Sequence, residues 1–450
     1  MRYPLLAFAA LLGALVSSVP AQAQSGPPTP EQIYAQQRAC ESRKPPRKAK
    51  GTISEGAYKR LERVIEAIGK GEYVESEKKL KELQENARGE YEKAIVLQTL
   101  GFVYASQEKI PLAIKTFEQA LEQNALPQQP HEQMMFNIAQ LYVSDDKWDD
   151  GIKALQGYMT ESCNPLPDAH ILLASVYAER KRFRDSLQQV DLALAKAKTP
   201  KEPWLQLKLA LHFELKEYPK CAEVLVQLVA LVPTKEDYWK QLSGILFEVR
   251  KDPEALAALA LAERRGYINE ETEYKNLANL YMYMQVPLKA ATILQRGVDD
   301  KAVTANEKNL ESLGNAWLLA REYKKAEVAM KRAAEVSDKG ELYKRLGQIQ
   351  IENEDWKAAL NSLTQAQKKG GVKEPGELAF LVGVVAVELK QWKRAEEALR
   401  AAMGYEKTAK IATEWFNHLQ AEYAFHNPPD AEPVAEPAAE PAAAPQTKTN

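Results

Sequence analysis

Apolar residues recur along this chain at i, i+3, i+4 and i+7, the spacing of one helix face, in short stretches separated by polar turns. The clearest unit runs from Leu97, Leu100, Gly101 and Tyr104 to Ala113, Phe117 and Ala120, which predicts two helices packed through small residues at 101 and 113. The same frame returns as Ile138-Ala139 with Gly151, Leu173-Ala174 with Ser186, Leu209 with Cys221, and Leu242-Ser243 with Ala255. It continues as Leu277-Ala278 with Ala290, Leu313-Gly314 with Ala326, Leu346-Gly347 with Ala359 and Val382-Gly383 with Ala395. The small residue or its equivalent falls at 101, 139, 174, 209, 243, 278, 314, 347 and 383, in steps of 33 to 38. A degenerate first copy lies near Leu61 to Leu83.

Boundary signals follow the same period. Pro111, Pro219, Pro253 and Pro287 open a second helix, where the missing N–H costs nothing. Tyr73, Trp148, Phe183, Tyr218, Tyr323, Trp356 and Trp392 mark the turn before it and read as packing residues. After Met403, Thr408 to Phe425 presents Ile411, Trp415, Phe416, Leu419 and Tyr423, as expected of a helix that caps the last repeat.

The Leu97-x2-Leu100-Gly101-x2-Tyr104…Ala113-x3-Phe117 unit resembles the tetratricopeptide (TPR) repeat, with Leu97 where that pattern has Trp. The expected fold is therefore all-α, a TPR solenoid: a right-handed superhelix of about ten helix-turn-helix repeats over 53–405, with a capping helix over 406–426. No domain boundary interrupts that span.

The ends read differently. Residues 1–23 have the form of a signal peptide, with Arg2, an apolar run from Leu5 to Val16, Pro20 and a small-x-small site at Ala21-Gln22-Ala23. The run is too short to span a bilayer, so the expected product is a soluble exported protein with no stable membrane anchor, periplasmic in a Gram-negative cell. Residues 24–52, with the cluster Arg43-Lys44-Pro45-Pro46-Arg47-Lys48, read as a flexible basic arm. Residues 427–450, an Ala/Pro/Glu tract, read as a disordered tail. Of the three cysteines, Cys221 reads as a small buried thiol on a helix. Cys40 and Cys163 fall in the arm and in an inter-helix loop, where a bridge would pin one to the other.

Lys plus Arg total 60 against 62 for Asp plus Glu, which argues against a nucleic-acid binder. The five histidines show no metal-ligand spacing, and no nucleophile elbow, phosphate loop or dinucleotide fingerprint occurs. The chain therefore reads as non-enzymatic, with no cofactor and no metal.

The TPR resemblance implies that extended partners lie against groove residues at the second, fifth, ninth and twelfth places of each repeat. Those places point to Asn279, Asn315 and Gln348 as a ladder of amides, with Gln140 at the equivalent place and Lys275, Lys308 and Lys344 on the same helices. Two readings stay open: a ladder that holds a peptide backbone, and a Lys/Asn clamp for a terminal carboxylate, which Ser312 and Glu341 make incomplete. Phe102, Phe136, Phe213 and Phe247 fall on concave places and are expected to be exposed unless a partner or the arm covers them.

The run from Tyr91-Glu92-Lys93-Ala94 through Asn137-Ile138-Ala139-Gln140-Leu141-Tyr142 is also similar to periplasmic TPR proteins associated with TonB–ExbB–ExbD systems. That resemblance implies a partner among the periplasmic parts of such a complex, or a TonB-dependent transporter, in iron or nutrient uptake. A scaffold for envelope assembly or polysaccharide secretion is the rival reading, and an enzyme the third.

Overall fold

The computed structural model describes residues 29–427; the signal pattern and all of the tail except Asn427 lie outside the described residues. Among those residues the regular elements are helices, and none is long and apolar enough to cross a membrane. The chain divides into two compact units, one ending at Tyr238 and the other beginning at Trp239.

The first unit starts with α1 (Pro30–Arg43) and continues as hairpins: α2 (Glu55–Gly69) with α3 (Tyr73–Glu85), and α4 (Gly89–Ser106) with α5 (Ile110–Glu122). Next come α6 (Gln128–Ser144) with α7 (Trp148–Glu161), α8 (Pro167–Glu179) with α9 (Phe183–Lys196), and α10 (Glu202–Glu214) with α11 (Tyr218–Leu231). The second unit takes up α12 (Glu236–Glu248) with α13 (Asp252–Arg264), then α14 (Glu271–Tyr283) with α15 (Pro287–Asp299) and α16 (Glu307–Leu319) with α17 (Tyr323–Val336). It closes with α18 (Glu341–Glu352) and α19 (Trp356–Lys369), α20 (Pro375–Glu388) and α21 (Trp392–Met403), and α22 (Glu406–His426).

The small residues read from the sequence set the spacing within each hairpin. A Cβ on Gly101 would sit 2.6 Å from the Phe117 ring, and one on Gly383 2.7 Å from Leu399. Where the frame carries serine, the hydroxyl satisfies itself across the contact: Ser186 Oγ donates to the Ala174 carbonyl at 2.7 Å, and Ser243 Oγ to that of Ala255 at 2.8 Å. Cys221 is buried at the same place in α11. At the far end, Trp415, Phe416 and Leu419 of α22 pack on the cluster formed by Ala386, Ala395 and Leu399, whereas Ile411 and Tyr423 stay exposed.

The first helix of every hairpin from α4 on ends in the same way. Glu108, Asp146, Lys181, Lys216, Arg250, Gln285, Arg321, Glu354 and Lys390 all adopt φ between 55° and 61°, the left-handed region. The next amide bonds back to the carbonyl five residues earlier, as in Lys109 to Tyr104, Arg182 to Tyr177 and Gln391 to Ala386. This is a Schellman motif, which satisfies carbonyls that a helix end leaves orphaned. A side chain in this conformation is strained relative to glycine. Lys181→Gly is accordingly expected to stabilise the first unit by about 1 kcal/mol, seen in urea unfolding as a higher midpoint at unchanged slope.

Neighbouring hairpins are joined by polar rungs that keep the repeat spacing. An acidic residue at or near the start of one hairpin bonds to a lysine at the start of the next repeat: Asp168 to Lys201 Nζ at 2.9 Å, just ahead of α10, and Glu374 to Lys407 Nζ at 2.7 Å, in the first turn of α22; Glu202 pairs likewise with Lys235 Nζ at 2.9 Å inside the first unit. Glu271 and Glu341 reach the backbone amides of Thr304 and Lys373 instead, each at 3.0 Å. Single exposed pairs of this kind add little stability in water. Their role is to hold register, and the acids also suit helix N-termini.

The segment expected to be a flexible arm is ordered from Thr29 on. Thr29 and Gln32 form a capping box that starts α1, and α1 lies against α9. A disulfide joins Cys40 to Cys163 in the loop after α7, with the Cα atoms 5.4 Å apart. From there the chain runs back along the loops between hairpins. Lys44 Nζ donates to the Thr160 carbonyl at 2.9 Å, the Gln128 N–H donates to the Arg47 carbonyl at 3.1 Å, and the Arg47 N–H donates to Gln128 Oε1 at 3.2 Å. Lys50 N–H donates to the Ala125 carbonyl at 3.0 Å, and Ser54 N–H to the buried Glu92 carboxylate at 2.9 Å. Lys44 and Arg47 are thus paired with polar groups of later hairpins, contacts at sequence separations that composition does not reveal.

Three buried histidines also belong to this unit. Burial pushes the pKa of His131, His170 and His212 below the ordinary value. Arg47 adds to the effect at His131, whose Nδ1 has no hydrogen-bond partner, while Gln189 and Glu217 oppose it at the other two. Because the unfolded chain binds protons more readily, their contribution to stability is complete above the ordinary histidine pKa and is lost as pH falls through the folded values. The carboxylates of Glu77 and Glu217, lowered to about 2, begin to cost stability only as pH falls into the ordinary carboxylate range. Calorimetry is expected to show the first unit melting lower at about pH 5.5 than at about pH 7.5, with His131→Gln reducing the difference.

Candidate peptide-binding cleft

A cleft of about 560 Å³ opens between α12 and α14, with Leu259 of α13 contributing to its base. Its central feature is a missing side chain. Gly244 sits on the exposed face of α12, and a Cβ there would meet no heavy atom within 4 Å. One turn on, Phe247 stands 40% exposed and meets Tyr283, itself 57% exposed, edge to face with ring centroids 5.8 Å apart. Leu280 lines the apolar side, and the exposed amides of Asn276 and Asn279 lie beside it.

Charge at the rim is fixed. Lys240 pairs with Glu273 from α12 to α14. Burial raises the Glu273 carboxyl, but the Lys240 ammonium and the backbone amides of Asn269 and Glu270 outweigh it and hold the group below the usual range. The Ser243 hydroxyl is committed to Ala255. The amides of Asn276 and Asn279 therefore supply donors and acceptors beside two aromatic edges and an open floor. That arrangement suits an extended backbone bearing one apolar or aromatic side chain.

The expected groove residues divide among several places. Phe247 and Asn279 meet in this cleft. Asn315 and Gln348 line a second cleft of about 830 Å³ bounded by α16, α17 and α18. Gln348 Nε2 moreover donates to Glu377 Oε1 at 3.0 Å.

Lys344 does not face the groove: it is 4% exposed, 2.7 Å from Glu377 and 3.2 Å from Glu341. Burial lowers its pKa, the two glutamates raise it by more, and the cation is fully committed to structure. The Glu341 that broke the clamp pattern is therefore the partner of its lysine. Lys275 is half-buried and 3.4 Å from Glu271, and Lys308 is exposed on α16.

In the first unit, Phe102 and Phe213 are exposed, each edge to face with an aromatic of its own hairpin, Phe117 at 5.2 Å and Tyr218 at 5.8 Å. Gln140 is exposed on α6. Phe136 contradicts the expectation of exposure. It is 5% exposed and packs on Tyr158 at 5.6 Å, because it lies three residues before the buried Ala139 and shares that packed face of α6. The open floor at Gly244 was the signal that sequence reading passed over. Glycine occupies a ninth place there, and its value shows only when its surroundings are known to be empty.

Residues 344–405 match the family model described as tetratricopeptide repeat. Residues 344–405 carry tetratricopeptide repeat sequence. No curated protein matches it. Among solved structures, the chain is similar to a tetratricopeptide repeat protein from Parabacteroides merdae at 16% identity and a TM-score of 0.36, over 66% of this chain and 100% of the other. It is also similar to YrrB, described as a TPR protein with an unusual peptide-binding site, at 19% identity and a TM-score of 0.33, over 43% of this chain and 97% of that one. A third likeness is to the Cut9-Hcn1 hetero-tetramer of the APC/C, at 12% identity and a TM-score of 0.28, covering 81% of this chain and 83% of that one. Likeness at these scores carries no argument about partners.

Proposed function

We propose that this TPR chain is a non-catalytic scaffold that binds an extended peptide segment of another protein in the α12–α14 cleft. The carrying observation is the open floor at Gly244 between the exposed Phe247–Tyr283 pair and the Asn276 and Asn279 amides. One apolar or aromatic side chain of the partner enters beside Phe247, and its backbone bonds the amides.

The setting proposed for this scaffold is the periplasm, reached through a cleaved signal peptide. The Cys40–Cys163 bridge supports an oxidising compartment. The proposed partner is a periplasmic segment of a TonB–ExbD-type complex or of a TonB-dependent transporter, a reading supported by the sequence resemblance in the first repeats.

A photo-crosslinking amino acid placed at Asn276 in cells, followed by mass spectrometry, tests both parts. Capture of an extended segment of one of those proteins bears the reading out. Capture of a different envelope protein overturns the TonB assignment, and no capture above a probe placed on an outward helix face overturns the cleft.

A further inference from the structure

The N-terminal strap is held in two distinct ways, and the difference falls within a few residues. From Arg47 to Ser54 the backbone itself is anchored, through Gln128, Ala125 and Glu92. Upstream of Arg47 the support is thin. Ile33 is the apolar residue of α1 that is buried, and Tyr34 on the same helix is exposed. Lys44 offers an exposed hydrogen bond to Thr160 and a 3.7 Å contact with Glu161, links of the kind worth little in water. An isolated helix of 14 residues is marginal by itself. The Cys40–Cys163 bridge is the covalent tie of α1 to the later hairpins, and both of its cysteines are partly exposed.

We propose that Cys40–Cys163 is a redox latch: its reduction releases α1 from α9 up to a hinge at Arg47, while the remainder of the first unit stays folded. The reductant is a dithiol, small or protein-borne. One of its thiolates attacks a bridge sulfur, the S–S bond breaks, and the departing cysteine takes up a proton. The second thiol of the reductant then displaces the mixed disulfide, so the bridge gains two electrons and two protons and the dithiol becomes a disulfide. Release uncovers the α9 surface beneath α1 and removes the Lys44 contact from Glu161 at the end of α7, while Arg47 keeps its own.

Hydrogen–deuterium exchange of the full chain, oxidised and then reduced with dithiothreitol, tests this. Amides of residues 33–44 are expected to exchange about tenfold faster or more after reduction, with those of 124–131, α7 and α9 unchanged. The Cys40→Ser chain kept oxidising is expected to reproduce the reduced pattern. Protection at 33–44 that survives reduction, or persists in Cys40→Ser, overturns the latch, because non-covalent contacts would then suffice. Exchange that spreads through α6 to α9 also overturns it, because the bridge would then be a brace for the whole unit.

Discussion

Gly244→Leu is expected to abolish peptide binding by the α12–α14 cleft, weakening affinity about a hundredfold or more, about 2.7 kcal/mol, without lowering the melting temperature. A glycine in the middle of a helix costs about 1 kcal/mol relative to alanine, since it loses the most backbone freedom on folding. No contact within 4 Å offsets that cost at Gly244, so packing gives no reason for the residue. A leucine there would extend the helix-favouring pattern of α12 and occupy the floor between Phe247 and Tyr283. The variant should therefore fold at least as well as the parent while losing the ligand. Titration of a peptide selected on the parent chain from a random display library, run beside differential scanning calorimetry, separates the two effects. Unimpaired binding by a stable Gly244→Leu chain would remove the cleft from consideration, while Asn315→Ala, in the other cleft, should leave binding untouched.

Gly340→Ala is expected to destabilise the second unit by about 3 kcal/mol, at the upper end of what one added methyl costs in a tight contact. The loop before α18 meets the end of α19 there backbone to backbone. Gly340 N–H donates to the Gly370 carbonyl at 2.7 Å, and an added Cβ would stand 2.2 Å from the Ala366 carbonyl oxygen. Neither neighbour is a flexible side-chain end, so the helix itself must move. A unit of this size should lose about 6–12 °C in melting temperature. Calorimetry would show it, and a fall within about 1 °C would mean that the loop yields cheaply. Gly244 and Gly340 thus predict opposite outcomes for the same kind of substitution.

The repeat was legible because each hairpin restates it. Leu100-Gly101 with Ala113, and Val382-Gly383 with Ala395, are residue types that packing demands locally, and the structure pairs those helices. Features that depend on distant residues were harder to read. The left-handed turns are held by Glu, Asp, Lys, Arg and Gln, none of which advertises positive φ as glycine would. Phe136 looked available because its place faces the groove in an average repeat, yet in α6 the partner ring Tyr158 draws it inward. Lys344 reads as a ligand only until Glu377, a repeat further on, is seen to claim it. The strap was read as loose because its partners lie from 38 to 123 residues away. A basic, proline-bearing run seldom folds on its own surroundings.

The rungs between hairpins bear on how such a chain changes length. Each acid reaches forward across one repeat, as from Asp168 to Lys201 and from Glu271 to the Thr304 amide. A duplication or loss of one whole repeat would hand every rung an equivalent partner, whereas a cut at any other interval would strand acids without cations and misplace the packing glycines. Repeat number is therefore the variable that inheritance can alter most cheaply in this scaffold, while the spacing inside a repeat is held fixed. Strap and bridge are the exception: they tie residue 40 to residue 163, so a repeat gained or lost between those points would require the strap to be refitted.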